Sequence, residues 1–152
     1  MFRRIRNSEK ESNIENSYVE VPQSDIREEL KKYIIELEQL AIKLCTDLQR
    51  DYVKCFDERG KKNLKLWVAR DIDGDELEKL TYERCLEKEY RSQIVIDYNG
   101  PKLNEEFYAE TFELWYYFGD CKKGTGTLYD LKNNDLKSSL QKILQELLDY
   151  SG

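Results

Sequence analysis

From Ser24 to Gly60 the apolar residues Ile26, Leu30, Tyr33, Leu37, Leu40 and Leu44 recur at alternating steps of four and three. That spacing lines one face of an α-helix and matches the a/d seam of a coiled coil. After Leu44 the beat passes to Leu48, Tyr52 and Cys55, so the stripe rotates without ending. Pro22 precedes the run, Ser24 or Asp25 can cap it, and Glu28 follows Asp25 by three residues. Gly60 supplies a C′ residue that stops it. The pattern predicts one helix of about 33 residues, roughly 50 Å long.

That length is awkward for the rest of the chain. A single domain of 152 residues has an expected radius of gyration of about 15 Å, or a sphere ~38 Å across. The helix must bend near Thr46 and Asp47, or one end must project. A projecting apolar stripe calls for a second copy, so Leu30, Tyr33, Leu37, Leu40 and Leu44 are expected to self-associate as a homodimer.

Residues 1–23 are expected to form a flexible tail, and residues 24–152 a single α+β domain. The tail's first six residues hold Phe2 and Ile5 among Arg3, Arg4 and Arg6. Asn, Ser, Glu and Lys then dominate to Asn16, too polar to bury much surface. Those six residues carry +3, which leaves −9 on the others, 22 bases against 31 acids. The basic-aromatic tip has three open roles: docking on an acidic partner, docking on this protein's own acidic body, or staying solvated with no contact at all. Tyr18, Val19 and Val21 flank Glu20 with the alternation of a short edge strand.

Beyond Gly60 the period falls to two. Leu64, Leu66 and Val68 alternate with Lys65 and Trp67, which predicts a strand closed by Ile72 and the acidic turn 71–75. For residues 75–90 a helix capped by Asp73, carrying Leu77, Leu80, Cys85 and Leu86, competes with a hairpin turned at Asp73 and Gly74; the helix is favoured. Residues 93–98 (QIVIDY) are a β-branched strand, and Asn99, Gly100 and Pro101 turn the chain. The aromatic run 107–118 and the segment 125–131 form a hairpin joined through 119–124. Asn133 or Asn134 then caps a last helix whose stripe is Leu136, Leu140, Ile143, Leu144 and Leu147. The expected fold is an antiparallel sheet of three to five strands packed by a long N-terminal helix and a shorter C-terminal one.

Function classes narrow by exclusion. A net charge of −6 argues against direct nucleic-acid binding, because Lys and Arg are what displace counterions from phosphates. No apolar run of about 18 residues is present to span a membrane, and residues 1–23 lack a signal-peptide core. The chain has no histidine, and its four cysteines show no CxxC spacing. No zinc site, Ser/His pair or Cys/His pair can therefore be assembled, and reduced thiols point to the cytoplasm. The acids of 71–78 miss a calcium loop, because Gly74 sits one place early and Tyr82 stands where the bidentate Glu belongs. No metal and no cofactor are expected.

Two function readings remain. Asp97, Asp130 and Lys132, with a helix acid such as Glu36 or Glu38, resemble the carboxylate–carboxylate–lysine arrangement of metal-dependent nucleases. Yet an acid two places before a base is common in so charged a chain, and no basic groove for DNA accompanies it. The favoured reading is a non-enzymatic, acidic protein–protein interaction module that binds a basic surface of another macromolecule. An inhibitor, a nucleic-acid mimic or an assembly or chaperone component, of viral or mobile-element origin, fits that chemistry. Between Leu103 and Cys121 five acids and no base stand among aromatics. The expected contact residues are Glu106, Tyr108, Glu110, Glu113, Trp115 and Tyr116, joined by Asp71, Asp73 and Asp75.

Overall fold

The computed structural model describes residues 17–75, 80–102, 108–118 and 125–150. Five strands form one antiparallel sheet: β1 (Tyr18–Val21), β2 (Lys62–Ile72), β3 (Tyr90–Asn99), β4 (Glu110–Tyr117) and β5 (Gly126–Tyr129), in the spatial order β1-β5-β4-β3-β2. Two helices, α1 (Glu28–Glu58) and α2 (Leu136–Asp149), complete an α+β fold. The residues 1–16, the expected turn at 119–124 and Glu106 lie outside the described residues.

α1 is one helix of 31 residues, about 46 Å long. It fits because β2 is unusually long as well: its 11 residues extend about 37 Å. The two run antiparallel, joined by the tight turn at Arg59–Lys61. Glu38 bonds Arg70 and Gln49 bonds Leu66. Eleven residues of helix thus keep step with four of strand, about 16 Å against about 14 Å. The Gln49 side chain accepts the Leu66 backbone N–H at 2.8 Å. One amide on the open edge of β2 is satisfied in this way.

The buried stripe of α1 is Leu30, Ile34, Leu37, Ala41, Leu44, Cys45 and Leu48, continuing to Phe56. It differs from the a/d reading in a physically simple way. A helix lying on a sheet buries a stripe 100° wide or more, not a two-residue seam. Ile34, Ala41 and Cys45 lie at its centre, while Leu40 is half-buried and Tyr33 is 51% exposed. Phe56 takes the place expected of Cys55, which is exposed. Leu30, Leu37 and Leu44 are core, and a dimer built through them would have to uncover it.

Both ends of α1 are set differently from expectation at the start and as expected at the finish. A 3₁₀ turn at Gln23–Asp25 precedes it, and Arg27 is the N-cap, so neither Ser24 nor Asp25 caps the helix. At the other end Gly60 has φ 81°, with Lys61 N–H donating to Phe56 O and Gly60 N–H to Asp57 O. That pairing is a Schellman motif, open to glycine at no steric cost. It also places Lys61, 3% exposed, where its Nζ donates to Leu148 O at 3.3 Å and Tyr150 O at 2.6 Å. A lysine thus closes the carbonyl end of α2, whose dipole favours a cation there.

Residues 80–89 hold no α-helix. Asp73 and Gly74 both have positive φ (54° and 84°) and make a two-residue hairpin turn, with Ile72 and Asp75 exchanging backbone bonds. The chain then makes a 3₁₀ turn at Tyr82–Arg84 and enters β3. Leu80 and Cys85 are buried with Tyr90, Trp115 and Tyr117 in a second, smaller cluster. Packing on those rings outweighs the helical spacing. Asp135, not Asn133 or Asn134, is the N-cap of α2; both asparagines instead bond Asp130.

Candidate functional site

The residues expected to form an acidic, aromatic face do not share one surface. A register shift between Ser92 and Gln93 places a bulge in β4, so both Leu114 and Trp115 are fully buried. The Trp115 indole N–H donates to Cys85 O at 2.8 Å inside the second cluster. Asp71 is 4% exposed and lies 3.3 Å from Arg91 Nε. Tyr116 stacks edge-on with Phe118 and beneath Arg91, its hydroxyl donating to Glu89. Burial, then the Glu89 charge, pushes that phenol above its ordinary pKa. Glu113 accepts from the Thr127 hydroxyl at 2.6 Å, and Tyr108 packs edge-on against Trp67. Glu110 is half-buried, while Asp73 and Asp75 are exposed at the hairpin turn. The aromatic stretch lacks a base of its own, but its β3 neighbour supplies Arg91 from across the ladder.

The acids of the nuclease-like alternative are also kept apart. Asp97 precedes the end of β3, bonded to Lys102 Nζ at 2.8 Å, and Asp130 follows β5. Their registers put them two strand spacings and four residues apart, about 17 Å. A metal ion needs its carboxylates within about 2.6 Å of itself. Lys132 lies over the Tyr33 ring, 5.5 Å from its centre. Among the described residues no group of three or more His, Cys, Asp or Glu is placed to hold a metal. Among them, too, no helix is long and apolar enough to cross a membrane.

A concave feature of the described residues lies elsewhere, between β1, the amino-terminal half of α1 and the segment after β5. It is a groove of about 860 Å³, within the size range of ligand and peptide sites. Its apolar surface comes from Val19, Val21, Leu30, Leu37, Leu128 and Leu131, with Tyr33 standing exposed at its side. Its charge is one-sided: Glu20, Asp25, Glu29, Glu36 and Asp130 face it against Arg27 and Lys132. Both cations are engaged, Arg27 with Glu29 at 3.7 Å and Lys132 with the Tyr33 ring. Glu20, Asp25 and Glu36 have no ion-pair partner among the described residues.

Sequence reasoning did not bring these three acids to one site, for identifiable reasons. Glu20 reads as the polar face of an edge strand, Asp25 as a helix cap and Glu36 as a helix acid open to the nuclease-like alternative. The groove they line closes only where β1 pairs with β5, 105 or more positions away. A second group was hidden except for Glu38, the other helix acid open to the nuclease-like alternative. Glu38, fully buried, accepts Arg70 Nε–H at 2.8 Å and the Tyr90 hydroxyl at 2.7 Å. Burial works against the Arg70 charge, but Glu38 and Tyr90 outweigh it and raise its pKa. Burial first, then the Glu38 carboxylate, pushes Tyr90 far above the usual phenol range. The one visible sign was Glu38 itself, a charge inside the apolar stripe one turn from Ile34 and Ala41. No family model matches the chain, and no curated protein or solved structure matches it.

Proposed function

We propose that the chain is a non-enzymatic protein-binding module that uses the groove beside α1 to hold a basic segment bearing apolar side chains. The observation that carries this reading is the pairing of apolar walls with acids that nothing described neutralises. Such a site favours a ligand that brings cations to Glu20, Asp25 and Glu36 and an aromatic or branched side chain to the walls. Charge at the rim would govern encounter, and the apolar contacts would govern lifetime.

The test uses a fluorescent peptide of alternating arginine and phenylalanine, titrated with the full chain and followed by anisotropy. Binding should weaken as NaCl rises from about 50 to about 500 mM, because exposed charges are then screened within a few ångströms. It should be lost in the Glu20→Lys/Asp25→Lys/Glu36→Lys variant and release faster in Tyr33→Ala. Equal affinity of wild type and the triple variant, with circular dichroism unchanged, would falsify the reading. Partners captured from cells by the wild type but not by the triple variant would identify the natural ligand.

A further inference from the structure

The groove and the first residues of the sequence are chemically complementary, and the chain path brings them together. Asp130 N–H donates to Ser17 O at 2.8 Å, and Asp130 lines the groove. The chain therefore joins β1 at the groove's own margin. Ten residues, 7–16, separate Arg6 from Ser17; extended, they reach about 33 Å. The stretch of α1 that lines the groove, Glu29 to Glu36, is only about 11 Å long. Reach is ample.

Charge and shape agree with the reach. Arg3, Arg4 and Arg6 are three cations, and Glu20, Asp25 and Glu36 are three acids without an ion-pair partner among the described residues. Phe2 and Ile5 supply the apolar side chains that Val19, Leu128, Leu131 and Tyr33 leave room for. We infer that the segment Phe2-Arg3-Arg4-Ile5-Arg6 occupies this groove in the same molecule and so competes with any external basic ligand. The inference rests on the groove being a site for basic, apolar segments, as proposed above. Tethering makes the contact effective even if it is weak. A short linker holds its segment at an effective concentration on the order of 1 mM. If the free segment binds with a dissociation constant of ~0.1 mM, the tethered one fills about nine-tenths of the grooves and weakens a competitor roughly tenfold.

The full chain tests this by ¹⁵N NMR, with the amides of Val19, Tyr33, Leu128 and Lys132 as reporters. Arg3→Glu/Arg4→Glu/Arg6→Glu should move the reporters in the direction that about 500 mM NaCl moves them in wild type. Adding Glu20→Lys/Asp25→Lys/Glu36→Lys, which swaps the charges, should restore salt sensitivity. A peptide of residues 1–10 should bind the arginine-reversed chain about tenfold more tightly than wild type. Reporters that ignore the arginine reversal, a charge swap without salt sensitivity, or equal peptide affinity for both chains would each overturn the inference. Reporter shifts that vanish on tenfold dilution would overturn it too, since the occupant would then be a second copy. The arginine–phenylalanine probe separates the two proposals. If the probe binds both chains alike, only the tethered occupant fails; if it binds neither, the groove reading fails with it.

Discussion

Replacing Glu38 by glutamine tests what holds α1 to the sheet. The change keeps shape and one acceptor but removes the charge that faces Arg70 and Tyr90. Glu38 is fully buried, whereas the Arg70 side chain keeps 17% of its exposure. Breaking a buried pair by removing one partner costs about 3–5 kcal/mol. Residual water at Arg70 puts Glu38→Gln at the lower end, about 3 kcal/mol. Tyr90→Phe removes one hydrogen bond to a charged acceptor without opening a cavity and should cost about 1.5 kcal/mol. The double variant Glu38→Leu/Arg70→Met, made in the Tyr90→Phe background so that no buried hydroxyl loses its acceptor, discriminates between an ion pair and mere packing, because it removes both charges together. It should recover most of the loss. Urea unfolding, read by far-ultraviolet circular dichroism and by the fluorescence of buried Trp115, gives all three values. A Glu38→Gln loss below about 1 kcal/mol, or a double variant no better than the single, would refute the reasoning.

The thiols should react in a fixed order: Cys55, exposed on α1, should be alkylated in the folded chain at pH 8, whereas buried Cys45 and Cys85 should not, as peptide mapping would show. Burial pushes both of these thiols from 9.0 up to about 12. The unfolded chain thus loses their protons first, and urea midpoints should fall as pH rises through the window from 9 to about 12. Lys61→Met strands the α2 carbonyls and should cost about 2 kcal/mol, a fall in Tm of roughly 4–8 °C by calorimetry. Gly126→Ala should destabilise by about 2 kcal/mol in urea, since its Cβ would collide with the Trp115 ring and the Tyr116 carbonyl.

What the sequence made legible is what its local periodicity encodes. The strand at 93–98, the helix stop at Gly60, the leucine stripe of α2 and the α+β class follow from spacing and turn chemistry alone. The errors have a common cause in contacts made from far away. Residues 80–89 have helical spacing, yet Leu80 and Cys85 are drawn onto Tyr90 and Trp115. Trp115 was assigned to a contact surface because it stands among acids and aromatics with no base nearby. The bulge in β4 turns it inward beside Leu114. Asp71 looked unpaired because its partner, Arg91, lies 20 residues later on β3. The groove was invisible for the same reason, its walls coming from two parts of the chain, 19–37 and 128–133.

The groove itself follows from a mismatch in helix length. The two helices end together, where Arg59 and Lys61 reach the last carbonyls of α2. From that shared end the 14 residues of α2 run back only about 21 Å. α1 is about 46 Å long, so among the described residues its amino-terminal half has no second α-helix beside it. On the groove side of that half the described residues are β1, four residues long, and the segment 130–133 that leads into α2. Neither fills the volume a helix would, and a furrow is left along Leu30, Tyr33 and Leu37. The charge on its rim is then no accident of composition alone. Asp25 and Glu29 stand before or within the first turn of α1, where the helix dipole favours acids. The same physics that starts the long helix thus supplies part of the negative field that a basic segment would meet.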